Sequence, residues 1–143
     1  MDVKARILVV DDRERTVRTM QRLLMQAGYQ VITALDGLAG LKKARQELPD
    51  LIILDVMMPG LDGYEVCRRL HLDPETTHIP VILLTGVGRV DTPTVRGAAL
   101  RTRIGQQEKG FDSGAVEFLN KPITKEKLLN RVKSILWLGG SLD

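Results

Sequence analysis

The chain has 143 residues, 43% of them hydrophobic and 27% charged, with a formal net charge of +3. That length and balance fit one soluble globular domain spanning 1–143. They leave no apolar run near the ~20 residues that a membrane span needs, and Met1-Asp2-Val3-Lys4 does not read as a secretion signal. With 3% aromatic residues, stacking on nucleic-acid bases is disfavoured and direct nucleic-acid binding is not expected. A lone cysteine, Cys67, excludes an internal disulfide and fits a reduced compartment, so the expected location is cytoplasmic.

The first aliphatic run, Ile7-Leu8-Val9-Val10, ends in Asp11-Asp12. Val17, Met20, Leu23, Leu24 and Ala27 then form one helical stripe, closed by Gly28 at a C-terminal cap position. Val31-Ile32-Thr33-Ala34 makes a second strand, and Asp36 caps a helix whose expected inward residues are Leu38, Leu41, Ala44 and Leu48. Pro49-Asp50 stops it before Leu51-Ile52-Ile53-Leu54, which ends in Asp55. Pro59-Gly60 and Asp62-Gly63 mark a turning loop, followed by a helix that buries Val66, Cys67 and Leu70. Met58 is expected to fill core space, and His71 and His78, which lack metal-ligand spacing, to lie on the surface.

Pro80 opens a fourth strand, Val81-Ile82-Leu83-Leu84, ending in Thr85. From Gly86 to Arg103 three glycines and one proline interrupt any stripe, so an enlarged connection is expected at about 86–103, with a more regular helix from about 103 to 113. Five basic and two acidic residues lie between Arg89 and Lys109. They form a solvated helix face or, as the alternative, a surface for an acidic partner or nucleic acid. A fifth strand, Val116-Glu117-Phe118-Leu119, leads through Asn120 to Lys121-Pro122. Thr124 caps a last helix with Leu128, Leu129, Val132, Ile135 and Leu136 inward, and 138–143 forms a short tail.

Short β-branched runs alternating with helical stripes predict an α/β protein of (βα)5 pattern: a parallel sheet with helices on both faces and right-handed crossovers. Ligands of such sheets sit outside the carboxyl ends of the strands. Asp11, Asp12, Asp55, Thr85 and Lys121 should therefore share one mouth. Two carboxylates ~4 Å apart repel by about 4 kcal/mol at an effective dielectric near 20. A hard cation relieves that repulsion, and Mg²⁺ suits oxygen ligands completed by phosphate. Lys121 and Thr85 add a mobile positive charge and a hydroxyl donor fitted to a phosphoryl group. The proline after Lys121 restricts that peptide, in the trans or the cis form.

Asp11-Asp12, Asp55 with Met58-Pro59-Gly60, Asp62-Gly63, Thr85-Gly86, and Phe118 followed by Lys121-Pro122 occur in this order. With them, the stretch from Lys4 to Trp137 resembles the receiver domain of two-component response regulators, the chemotaxis regulators among them. The resemblance implies a flavodoxin-like, doubly wound five-stranded sheet of order 2-1-3-4-5. It implies that Asp55 accepts a phosphoryl group from a sensor histidine kinase or phosphotransfer protein. Mg²⁺ would be held by Asp12, Asp55 and the backbone carbonyl of Met57, with Asp11 acting directly or through a water. Thr85 and Lys121 would hold the phosphoryl oxygens and Phe118 would be the switch aromatic. A downstream protein target would then meet an altered face formed by the helix after strand four, strand five and the last helix, with a homodimer as a possible phosphorylated state.

The chain departs from the family pattern at Met57 and Val87, which cannot hydrogen-bond an attacking water, so a long-lived acyl phosphate is expected. The connection after Thr85 is longer than usual by roughly a dozen residues; it gates access, makes a partner surface, or is inert. An aspartyl-nucleophile phosphatase is the rival reading, disfavoured because Met57 stands where its second Asp belongs. The chain is either a stand-alone receiver or the N-terminal receiver of a longer effector protein.

Overall fold

The computed structural model describes residues 5–86 and 116–138. The expected long connection, the 103–113 helix, Val87, the basic cluster and the 139–143 end of the tail lie outside the described residues. Strands β1 (Arg6–Val10), β2 (Gln30–Ala34), β3 (Leu51–Asp55), β4 (Val81–Thr85) and β5 (Val116–Asn120) alternate with helices α1 (Glu14–Gln26), α2 (Gly37–Glu47) and α3 (Gly63–Leu72); α4 (Lys125–Leu138) follows β5. All neighbouring strands are parallel, in the order β2-β1-β3-β4-β5. This is the expected flavodoxin-like sheet.

The two-residue period of the strands divides the core into two layers. Ile7, Val9, Leu51, Ile53, Ile82 and Leu84 pack with Val17, Met20 and Leu24 of α1 and Leu128, Val132 and Ile135 of α4. Leu8, Val10, Ile52, Leu54 and Leu83 pack on the other side with Ala44 of α2 and Val66, Cys67 and Leu70 of α3. Every residue of β3 and β4 is buried, which is why those strands read as unbroken aliphatic runs. Met58 is buried as expected, and burial in this layer pushes the Cys67 thiol up to about 12, which makes it packing rather than chemistry.

Caps fall where the sequence placed them. Asp36 Oδ1 accepts from the Ala39 N–H at 2.7 Å and Thr124 Oγ1 from the Lys127 N–H at 3.1 Å. Gly28 takes φ +100° just past α1, the left-handed conformation of a helix end.

Three expectations need correction. The inward face of α2 is Gly37, Gly40 and Ala44, with Leu41 half-buried, whereas Leu38 and Leu48 are 65% and 50% exposed. The reason is close packing: a Cβ on Gly37 would stand 2.8 Å from Leu61 and Val66, and one on Gly40 would stand 2.9 Å from Val10. Leu48 is the left-handed C-cap residue of α2, outside its apolar stripe. Ala27 likewise is an exposed C-cap of α1. His71 is buried, its Nδ1 3.3 Å from the Thr77 hydroxyl, while His78 is exposed as expected.

Candidate functional site

The central position of β1 and β3 brings their carboxyl ends together. Val10 pairs with Leu54 in register, so Asp11 and Asp12, the next residues after β1, emerge beside Asp55, the last residue of β3. Carboxylate oxygens of Asp11, Asp12 and Asp55 lie within 4.8 Å of one another. Asp11 and Asp55 are buried and Asp12 is exposed. Thr85 closes β4 and is buried; Lys121 follows β5 and is anchored by its N–H donating to the Thr85 carbonyl at 2.8 Å.

Lys121 reaches across β4 to the acids. Its Nζ stands 2.5 Å from Asp55 Oδ1 and 3.7 Å from Asp11 Oδ2. The Lys121–Pro122 peptide is cis. Phe118 is half-buried on β5 opposite Leu83 and packs against the core layer under α2 and α3. The Met57 side chain is exposed and, with Asp55 and Lys121, lines a cleft of about 590 Å³ whose further walls include Arg13 and Arg15. All the residues expected at one mouth are therefore at the carboxyl edge of the sheet.

The loops that present these groups are fixed by local bonds. Asp11 Oδ1 accepts from the Arg13 N–H at 2.9 Å, which turns the chain into α1. Arg13 is the N-cap residue of that helix and supplies no side-chain cap. After Asp55, the Gly63 N–H donates to the Val56 carbonyl at 2.9 Å and Asp62 caps α3 through the Glu65 N–H at 2.9 Å. In turn Glu65 is held to about 2 by hydrogen bonds from Arg68 and then Arg69.

Three carboxylates against one ammonium leave an excess of negative charge. Asp11 Oδ2 is buried and has no hydrogen-bond partner among the described residues. An orphaned buried carboxylate oxygen facing two further carboxylates is the donor set of a hard divalent cation, so the residues fit Mg²⁺.

Burial pushes the Asp11 carboxyl above its ordinary 3.8; the Arg13 N–H opposes this, and the charge of Asp55 adds to it. A folded-state value above the unfolded one means that the folded state holds the proton more tightly. The penalty is thus absent below about 3.8 and complete once pH rises past the raised value. Asp11→Asn is expected to raise the melting temperature of the metal-free protein at neutral pH, because the amide carries no charge to be desolvated. Thermal melts in a chelating buffer check this; an unchanged or lower midpoint would mean the carboxylate is not strained.

The sequence reading passed over Asn120. Its Oδ1 accepts the Thr85 hydroxyl at 2.7 Å, and its position at a strand's carboxyl end was the available signal.

An acidic pocket at the carboxyl edge of a doubly wound sheet, with a lysine reaching into it, defines a class of signalling domain. The chain belongs to the response regulator receiver domain family, which it matches over residues 7–133. It is 46% identical over 134 residues to the response regulator PleD of Caulobacter vibrioides, covering 93% of this chain and 26% of that protein. It is 36% identical to protein PilH of Pseudomonas aeruginosa, covering 92% of this chain and 98% of that one. A response regulator receiver domain protein from Clostridium thermocellum superposes with a TM-score of 0.77 at 29% identity, covering 97% of this chain and 99% of that one. The chain spans about a quarter of PleD and about half of the DNA-binding regulator RpaA of Synechocystis, to which it is 40% identical over 92% of its own length. Among the described residues, no helix is long and apolar enough to cross a membrane.

Proposed function

We propose that this domain is a phospho-accepting switch in which Asp55 takes a phosphoryl group from a phosphohistidine of a sensor kinase or phosphotransfer protein. The observation that carries the reading is Lys121 Nζ at 2.5 Å from Asp55 Oδ1 inside a cluster of three carboxylates. An Asp55 oxygen forms a bond to phosphorus as the donor's P–N bond breaks. The electron pair leaves with the imidazole, which takes a proton from solvent, and an acyl phosphate remains. Such transfer needs positioning and charge neutralisation more than a base.

Asp11, Asp12, Asp55 and the Met57 backbone carbonyl would hold Mg²⁺, which supplies neutralisation of the phosphoryl oxygens when bound. Lys121 binds one phosphoryl oxygen as a point charge and Thr85 donates a hydrogen bond to another. Phe118 turns inward as Thr85 moves, and the change is read by a protein partner on the face that includes β5 and α4. The soluble pattern of the chain supports a cytoplasmic location. RpaA is described as DNA-binding; for this chain a protein target is the reading adopted.

Acetyl phosphate with Mg²⁺ is expected to add one phosphoryl group per chain by intact mass, and EDTA to prevent it. Steady multiple turnover of a generic phosphate ester would instead favour the phosphatase reading.

Met57 places a thioether, not a hydrogen-bonding group, on the cleft beside Asp55. Met57→Asn is expected to hasten phosphate release by roughly tenfold, the effect of one hydrogen bond worth about 1.4 kcal/mol to the attacking water. A phosphate-release assay that finds no acceleration would remove Met57 as the cause of a long-lived acyl phosphate.

A further inference from the structure

We infer that Asn120 is a positioning residue: it holds the Thr85 hydroxyl toward β5 in the unphosphorylated protein and so sets how readily the phosphoryl state of Asp55 forms. The inference rests on the function proposed above.

A threonine hydroxyl has one proton to donate. Thr85 Oγ1 gives it to Asn120 Oδ1 at 2.7 Å, with the Leu119 carbonyl as a longer alternative at 3.4 Å. Both acceptors belong to β5. While the proton is used there it cannot serve a phosphoryl oxygen on Asp55, so binding the phosphoryl group requires that this bond break. The switch is a change between staggered side-chain rotamers of a β-branched residue, which has few of them.

Three features make the contact a built one. Thr85 and Asn120 are register partners across β4 and β5, so the sheet itself sets them side by side. The Lys121 N–H donates to the Thr85 carbonyl at 2.8 Å, which pins the backbone of the pair in the same place. And Asn120 directly precedes the lysine that contacts Asp55, so one short segment governs both a hydroxyl and an ammonium suited to the phosphoryl group. Asn120 is exposed, so shortening it removes the acceptor with little loss of packing.

A neutral hydrogen bond of this kind biases an equilibrium by roughly two- to tenfold. Relieving it should therefore favour the occupied state by that factor, since a ligand's apparent affinity scales with the fraction of protein already in the competent arrangement. Beryllofluoride in saturating Mg²⁺ serves as the acyl-phosphate mimic, with binding followed by amide NMR titration. Asn120→Ala is expected to bind it roughly two- to tenfold more tightly than wild type. Asn120→Asp, a charged and stronger acceptor, is expected to bind it more weakly. In a Thr85→Ala background the Asn120→Ala gain should vanish, because the double-mutant cycle isolates the pair; a general loosening of the loop would persist there.

Failure of wild type to bind beryllofluoride would overturn the phosphoacceptor reading and this inference with it. Binding by wild type with no gain in Asn120→Ala, or a gain of equal size without Thr85, would overturn the inference alone.

Discussion

Asp55→Asn is expected to abolish phosphoryl uptake: in acetyl phosphate and Mg²⁺, wild type gains one phosphoryl group by intact mass and the variant gains none. The substitution is nearly isosteric, so the neighbourhood of the buried side chain is kept while its chemistry is removed. An amide oxygen is a poor nucleophile at phosphorus, and its nitrogen carries no free electron pair to donate. The variant also lacks one of the three crowded carboxylates, which lowers the repulsion that Asp11 and Asp12 otherwise feel. Against this, the variant removes the charge partner of Lys121, and a melting curve run beside the mass measurement separates lost chemistry from lost fold. Rate loss for a missing nucleophile is on the order of 10⁴ or more, far beyond what a displaced loop produces. A phosphoryl group found on the variant would place the acceptor elsewhere, with adjacent Asp11 and Asp12 the first residues to map.

Where the sequence was informative and where it was not follows from what each element packs against. β1, β3 and β4 are covered on both sides, so their residues are aliphatic without alternation and their polar ends are conspicuous; Asp11, Asp55 and Thr85 are legible for that reason. Asp36 and Thr124 are legible because a cap is a local bond. The inward face of α2 was not, because pattern reading looks for large apolar side chains and this helix approaches its neighbours through Gly37 and Gly40. Its large leucines, Leu38 and Leu48, are the exposed ones. His71 is buried by the turn that brings Thr77 back over the end of α3, a contact six residues away that no helical period encodes. Asn120 is not legible locally, because its hydrogen-bond partner Thr85 lies 35 positions earlier in the chain. Segment 87–115, which carries the expected enlargement and the basic cluster, lies outside the described residues.

Gly63→Ala tests whether the site is as rigidly tied to the fold as its packing implies. A Cβ on Gly63 would stand 2.5 Å from the Asp55 carbonyl oxygen and 2.8 Å from Val56 Cα. Those are backbone atoms of the strand end that carries the proposed nucleophile, so no side-chain rotation relieves the clash. The Gly63 N–H also donates to the Val56 carbonyl, and pushing the strand away strains that bond. Overpacking of this kind costs roughly 1–3 kcal/mol or more, which lowers the melting temperature by about 2–12 °C in a domain of this size. Because the displaced atoms belong to Asp55 and Val56, acetyl phosphate labelling should also slow at temperatures where the variant remains folded. Gly60→Ala is the matched control: a Cβ there meets nothing within 4 Å, and the cost is confined to its φ of +80°, about 1 kcal/mol of backbone strain. Loss of stability in both variants with labelling slowed only in Gly63→Ala is the expected pair of results. Equal labelling rates would mean that the strand end yields without disturbing Asp55.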